Sequence, residues 1–298
     1  MSSGLSLSSG NAFATPAAEL KRVVVTSTRF KPEAHGLARE LAERLESLGA
    51  DVLLDLPGTV PLAAQSGGAD VVFSVGGDGT LLGTARRLVG ATAPVIGVNL
   101  GKLGFLAEFS ADDVRQYLDG GRPEGWRINP RVMLQVRLNG AGAPTFALND
   151  VVVSQGVVSR LVDIAMEVDG AHAIQYRADG LVVSTPVGST AYALSLGGPI
   201  VSQALRAFVI TPLAPHSLTN RPIVVEASVE VGFRVESEVN ELALVVDGQE
   251  RIDLRQGDRI SITAAPTDLM LISSGRHSFF DILRMKLSWG APPALMRG

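Results

Sequence analysis

The chain has 298 residues, 46% hydrophobic and 19% charged, with no cysteine and a formal net charge of -4. Such a composition describes a globular chain long enough for two domains and excludes disulfides and thiolate metal sites. With no basic run or interleaved aromatic patch it speaks against a nucleic-acid partner, and with no long apolar run against a membrane-spanning helix.

Residues 1–20 begin with a Ser-, Gly- and Ala-rich stretch. They lack the basic and apolar regions of a signal peptide and are expected to be a disordered start. Lys21 to Ser27 reads as an apolar strand, and Leu37, Leu41, Leu45 and Leu48 then share one face of a helix that Gly49 stops. A strand over Asp51 to Leu56 leads through a Pro/Gly loop to Val71, Val72, Phe73, Ser74 and Val75, a run suited to a buried parallel strand. Gly76, Gly77, Asp78, Gly79 and Thr80 follow, and Leu81, Leu82, Ala85 and Leu88 recur at helical spacing.

This strand, glycine turn and helix point to a phosphate site, because glycines let the backbone approach a ligand and the first amides of a helix favour anions. Gly76, Gly77, Gly79 and Thr80 are the candidate phosphate contacts. Asp78 stands where a P-loop would carry Lys, and no GxxxxGK[ST] string is present. Three roles are open to it: holding a divalent cation, acting as general base, or merely capping the helix.

Pro94 to Asn99 is the next strand, giving a βαβαβ order and hence a parallel sheet of the nucleotide-binding type. The loop Asn99 to Leu106 is expected to border the same crevice as Asp78, or else to be a glycine turn with an apolar plug. A short helix over Asp112 to Leu118 ends this part, taken as residues 21–125.

From Arg131 to about Ile272 the pattern becomes short alternating runs separated by turns, a β-rich second domain drawn at 126–272. Asn139-Gly140, Asp169-Gly170 and Asp247-Gly248 are hairpin dipeptides. Asn149-Asp150 interrupts an apolar strand, and one of the two is expected to face inward or toward a ligand. Asp179 to Pro199 breaks from strand to helix at Pro186 and Gly188, with Ser189 or Thr190 placed to cap a helix carrying Tyr192 and Ser195. That break could bind a ribose or heterocycle, or be a capped surface helix. The four histidines, without ligand spacing, are assigned to structure. A helical segment, Ser278 to Trp289, is expected to return to the first domain within 273–298.

Taken in order, these strings resemble the bacterial NAD kinases. The matches are GGDGT at Gly76 to Thr80, NxGxLGFL at Asn99 to Leu106, Asn149-Asp150, the block Asp179 to Pro199, TPLAPHSLTNRPIVV at Thr211 to Val225, VDGQ at Val246 to Gln249 and the closing SFFDILRMKLSWG. The resemblance implies a Rossmann-like α/β domain, a sandwich-like β-domain, and ATP-dependent phosphorylation of the 2'-hydroxyl on the adenosine ribose of NAD. It further implies Mg2+ with ATP as donor, a cytoplasmic enzyme, and a homodimer or homotetramer. By motif, Asp78 would be the base and Gly79 a neighbouring contact. Asn149 and Asp150 would hold the adenosine end, Thr190, Ala191, Tyr192, Ala193, Leu194 and Ser195 would line the NAD pocket, and Gln249 would reach in from its hairpin. Arg177 and Asp179 match NAD contacts, and Arg160 matches loosely. Two positions depart from the family: Asp150 stands where many relatives have Glu, and Val187 replaces a Thr, which removes a hydroxyl from the contact set.

Overall fold

Hydrophobic runs in the first hundred residues build a parallel sheet. In the computed structural model, which describes residues 10–101, 103–155, 161–217, 219–238 and 241–288, that sheet has seven strands. Asp51–Asp55, Arg22–Thr26, Val71–Val75, Val95–Val98 and Leu269–Ser273 lie side by side in parallel. Arg127–Arg131 and then Asn11–Ala12 extend it antiparallel. Val71–Val75 is central and buried throughout, as an unbroken apolar run requires when both faces are covered. The helix Glu33–Ser47 covers one face, packing Leu37, Leu41 and Leu45 with Val23, Val25 and Phe73. The helix Asp78–Leu88 covers the other, packing Leu81, Leu82 and Ala85 with Val24, Val72 and Val95.

The second part consists of two six-stranded antiparallel sheets enclosing one apolar core, including Val151, Val153, Phe208, Ile210 and Phe233. All three hairpin dipeptides adopt positive φ at both residues, as the right-handed twist of a two-residue hairpin demands. The chain passes between these sheets at Leu148-Asn149: Ala141–Ala147 belongs to one and Asp150–Ser154 to the other. Asn149 is therefore at a corner, outside the strand in which the pattern placed it, while Asp150 is buried.

Three sequence expectations are corrected. Arg127–Arg131 and Leu269–Ser273, drawn into the β-rich part, are strands of the first sheet, so the chain returns at 269. Alternation alone does not tell a strand which sheet to join. Residues 10–20 are not a disordered start, because Phe13 stacks on Trp126 and Ala17 and Leu20 are buried against the first core. The helix after Pro186 is a single turn, Tyr192–Ser195, and neither Ser189 nor Thr190 caps it; their hydroxyls donate to the carbonyls of Pro186 and Val187. Beyond the returning strand, Ser278 caps the helix Phe279–Leu287 through a reciprocal bond with Asp281. Among the described residues no helix is long and apolar enough to cross a membrane.

Candidate active site

The turn after Val71–Val75 bends through Gly76 and Gly77 at φ 145° and 103°, a region that side chains rarely reach. Both amides donate to the carbonyl of Val98, at 2.8 and 3.2 Å. These two glycines thus shape the turn and fasten it to the neighbouring strand, and their amides are not free to cradle phosphate as expected. Thr80 and Leu81 donate to the Gly77 carbonyl. The first-turn amides of Asp78 and Gly79 have no acceptor among the described residues.

Asp78 is the first residue of its helix, yet it caps nothing there. Its carboxylate instead collects three amides from the loop after Val95–Val98. Phe105 donates to Oδ2 at 2.8 Å, and Leu106 and Ala107 donate to Oδ1 at 3.1 and 2.9 Å. Oδ1 is saturated and Oδ2 keeps one acceptor position. Gly104 permits this approach, since a Cβ there would come within 2.7 Å of Asp78 Cγ. The carboxylate thus joins the two glycine-rich loops, although the loop Asn99 to Leu106 does not line the cavity beside the turn.

On one side of the turn lies a cavity of about 920 Å³ lined by Phe30, Lys31, Thr80, Arg86, Arg87 and Gln249, among others. Lys31 Nζ donates to the Gly76 carbonyl at 2.6 Å, and the Thr80 hydroxyl is buried without a partner. Arg29 lies over the ring of Phe30 at the same rim. The cavity thus gathers Arg29, Lys31, Arg86 and Arg87 in a chain that is acidic overall, with Arg87 paired to Asp55 and Arg86 to Asp247 and Glu250. Among the described residues no three acidic or imidazole groups gather as a metal cage.

On the other side stands the Leu148–Asp150 corner. Asp247, fully buried at its side chain, accepts the amides of Leu148, Asn149 and Asp150 at 3.1, 2.8 and 3.2 Å and pairs with Arg86 at 3.3 Å. Thr185 ties the same corner to the Pro186 break, its amide donating to the Asn149 carbonyl and its hydroxyl to that of Leu148. Burial pushes both carboxyls up, opposed at Asp247 by the three amides and Arg86, and repulsion from Asp247 adds to burial in holding Asp150 up at about 7. Gln249 closes the gap between the parts, donating to the Gly79 carbonyl at 2.9 Å and accepting from Arg86 at 2.9 Å.

The ATP-NAD kinase N-terminal domain model matches residues 17–120, and the ATP-NAD kinase C-terminal domain model matches residues 148–274. Over 286 residues the chain is 37% identical to the NAD kinase of Geobacter sulfurreducens, covering 91% of this chain and 99% of that protein. The chain belongs to the ATP-NAD kinase family. Two solved structures share its fold. One is yeast NADH kinase complexed with NADH, at a TM-score of 0.81 and 23% identity, covering 93% of this chain and 90% of that one. The other is an NAD kinase from Archaeoglobus fulgidus in complex with ATP, at a TM-score of 0.69 and 26% identity, covering 90% and 98%.

Within this ATP-NAD kinase fold, hydrogen bonds run from the Gly79 carbonyl through Gln249, Arg86 and Asp247 to Asn149 and Asp150, while Asp78 is held separately by its own loop. Thr190, Ala191, Leu194 and Ser195 flank Tyr192, whereas Ala193 is buried against Val152, Val182 and Leu213 and packs the turn onto the sheet. Arg177 and Asp179 are not brought to Asp150. Asp150 pairs with Ser184 at one end of the strand Gly180–Ser184, and Asp179 precedes the other end, on the order of 13 Å away at ~3.3 Å per residue. Arg177 is exposed there beside Asp163. Arg160 lies outside the described residues. Lys31, Arg86 and Asp247 escaped sequence reasoning. Asp247 had a signal in VDGQ but was taken only as a hairpin residue; Lys31 and Arg86 had none.

Proposed function

We propose that this chain phosphorylates NAD, moving the γ-phosphoryl of Mg-ATP to the 2'-hydroxyl of the adenosine ribose to yield NADP and ADP. The observation that carries this reading is the setting of Asp78, a carboxylate pinned by three amides at the start of a helix whose next residues, Gly79 and Thr80, line the cavity and whose Gly79 carbonyl is bound by Gln249 of the Asp247 hairpin. The donor triphosphate occupies the cavity, meeting Lys31, Thr80 and the amides of Asp78 and Gly79. Mg2+ enters as part of that substrate, held chiefly by phosphate oxygens and water, as is usual for this ion. The acceptor ribose lies toward Asn149, Asp150 and Tyr192.

The ribose oxygen attacks the γ-phosphorus in line, the bond from phosphorus to the β-bridging oxygen breaks, and the hydroxyl proton passes to the open position on Asp78 Oδ2. Positioning supplies about 7 to 11 kcal/mol of the barrier reduction and a general base about 3 to 5 kcal/mol. Arg177 and Asp179, at the far end of the sheet, serve the remote part of the dinucleotide or the site of a second copy in a cytoplasmic homo-oligomer. Formation of NADP from NAD and Mg-ATP, followed together with ADP release, tests the reaction. Phosphate transfer to a diacylglycerol, a sphingoid base or a sugar phosphate, with none to NAD, would refute it.

A further inference from the structure

Arg86 joins the helix of Asp78, the cavity and the Asp247 hairpin. It projects from the helix Asp78–Leu88 with its side chain 13% exposed, and its three nitrogens are all directed at one hairpin. Nη1 donates to Asp247 Oδ2 at 3.3 Å and Nη2 to Gln249 Oε1 at 2.9 Å, while Nε lies 3.3 Å from Glu250 Oε1 in an ion pair without a hydrogen bond. Asp247 in turn holds the amides of Leu148, Asn149 and Asp150 and donates its own amide to the Asp150 carbonyl. Gln249 returns to the Gly79 carbonyl, next to Asp78. The circuit is closed: helix, guanidinium, hairpin, corner, and hairpin back to helix.

We propose that Arg86 and Asp247 are positioning residues whose clamp sets the Leu148–Asp150 corner against the helix carrying Asp78. The inference rests on the proposed reaction, in which donor and acceptor lie on opposite sides of that clamp. Asp78 is anchored by its own loop, so the clamp governs the distance between base and acceptor rather than the base itself. The planar fork of arginine is essential, because a lysine ammonium is a point charge that cannot hold Asp247 and Gln249 in two fixed directions at once.

The test uses the full chain, with kcat and both KM values measured from NADP formation and folding followed by thermal melting. A displacement of about 1 Å between reacting groups costs roughly 10²-fold, so Arg86→Met is expected to lower kcat by about that factor. The KM values for ATP and NAD should move by no more than about threefold, the signature of lost alignment rather than lost ligand contact. Arg86→Lys is expected to stay nearly as slow as Arg86→Met. The double variant R86M/D247N should be no slower than the worse single variant, because one clamp cannot be opened twice. If D247N does not fold, Gln249→Leu takes its place in the cycle. Wild-type turnover in R86M, a raised KM for ATP with kcat unchanged, or losses that multiply in the double variant would each overturn the clamp alone. Failure of the unsubstituted enzyme to make NADP would overturn the reaction beneath it, and the clamp with it.

Discussion

Replacing Asp78 by Asn tests the chemistry and the architecture of the site together. The amide oxygen can keep the two bonds from Leu106 and Ala107, but its NH2 group then faces the Phe105 amide, which donated to Oδ2 at 2.8 Å. One charge-assisted bond is lost and one part-buried donor is stranded, together about 2 to 4 kcal/mol of local destabilisation. The same change removes the proposed proton acceptor for the ribose hydroxyl, expected to lower kcat by about 10²- to 10⁴-fold. Initial rates of NADP formation give kcat, calorimetric titration with NAD gives the dissociation constant, and thermal melting reads the loop. The expected outcome is a melting temperature lower by several degrees, a dissociation constant for NAD shifted by less than about threefold, and the full loss in kcat. A folded D78N enzyme with kcat within about tenfold of wild type would refute the base assignment, since a base contributes more than that. An unchanged melting temperature would refute the clasp between the two loops.

Three further outcomes follow from the same geometry. Gly104→Ala places a Cβ within 2.7 Å of Asp78 Cγ and should reduce kcat by about 10²-fold through misplacement of the carboxylate; normal turnover would show that the loop yields without moving Asp78. Lys31, whose Nζ rests on the Gly76 carbonyl, is free to meet a triphosphate, so Lys31→Met should raise the KM for ATP about tenfold with little change in kcat, and an unaltered KM would remove it from the donor site. Asp150 stands at about 7 in the folded protein against an ordinary 3.8, so the folded state binds its proton more tightly and stability falls as pH rises through about 7. Asp150→Asn, neutral throughout, should therefore gain stability over wild type at pH 8 by at most roughly 4 kcal/mol, from about three pH units at 1.36 kcal/mol each, with the gain vanishing below about pH 4. Denaturant melts across that range measure it, and a gain that grows toward low pH would refute the assignment.

The sequence showed what is local and hid what is not. The buried strand Val71–Val75, the leucine face of Glu33–Ser47 and the three hairpins declare themselves because their signals lie in consecutive residues. Phe105, Leu106 and Ala107 meet Asp78 through backbone amides, for which side-chain identity carries no signal. The passage between sheets at Leu148-Asn149 was hidden for a related reason: FALNDVVVS alternates like one strand, and the evidence that it is two lies 97 to 99 residues away, in the carboxylate of Asp247. Leu269–Ser273 shows the same limit, since pairing partners, not pattern, sent it to the first sheet.

Asp78 and Asp247 apply one device twice, and the device answers why a carboxylate can stand in a phosphate-binding turn. Two unit charges about 4 Å apart repel by roughly 4 kcal/mol at an effective dielectric of about 20, which would weaken donor binding severely if Asp78 were bare. Its charge is instead met by three amide dipoles and the N-terminal end of its own helix, while Lys31 stands at the adjoining carbonyl. Asp247 is met by three amides and Arg86 in the same manner. Each carboxylate thus fastens a distant loop, Asp78 that of Phe105 to Ala107 and Asp247 the Leu148–Asp150 corner. Among the described residues Asp78 Oδ2 accepts one bond where Oδ1 accepts two, and it is to Oδ2 that the proposed reaction delivers the hydroxyl proton.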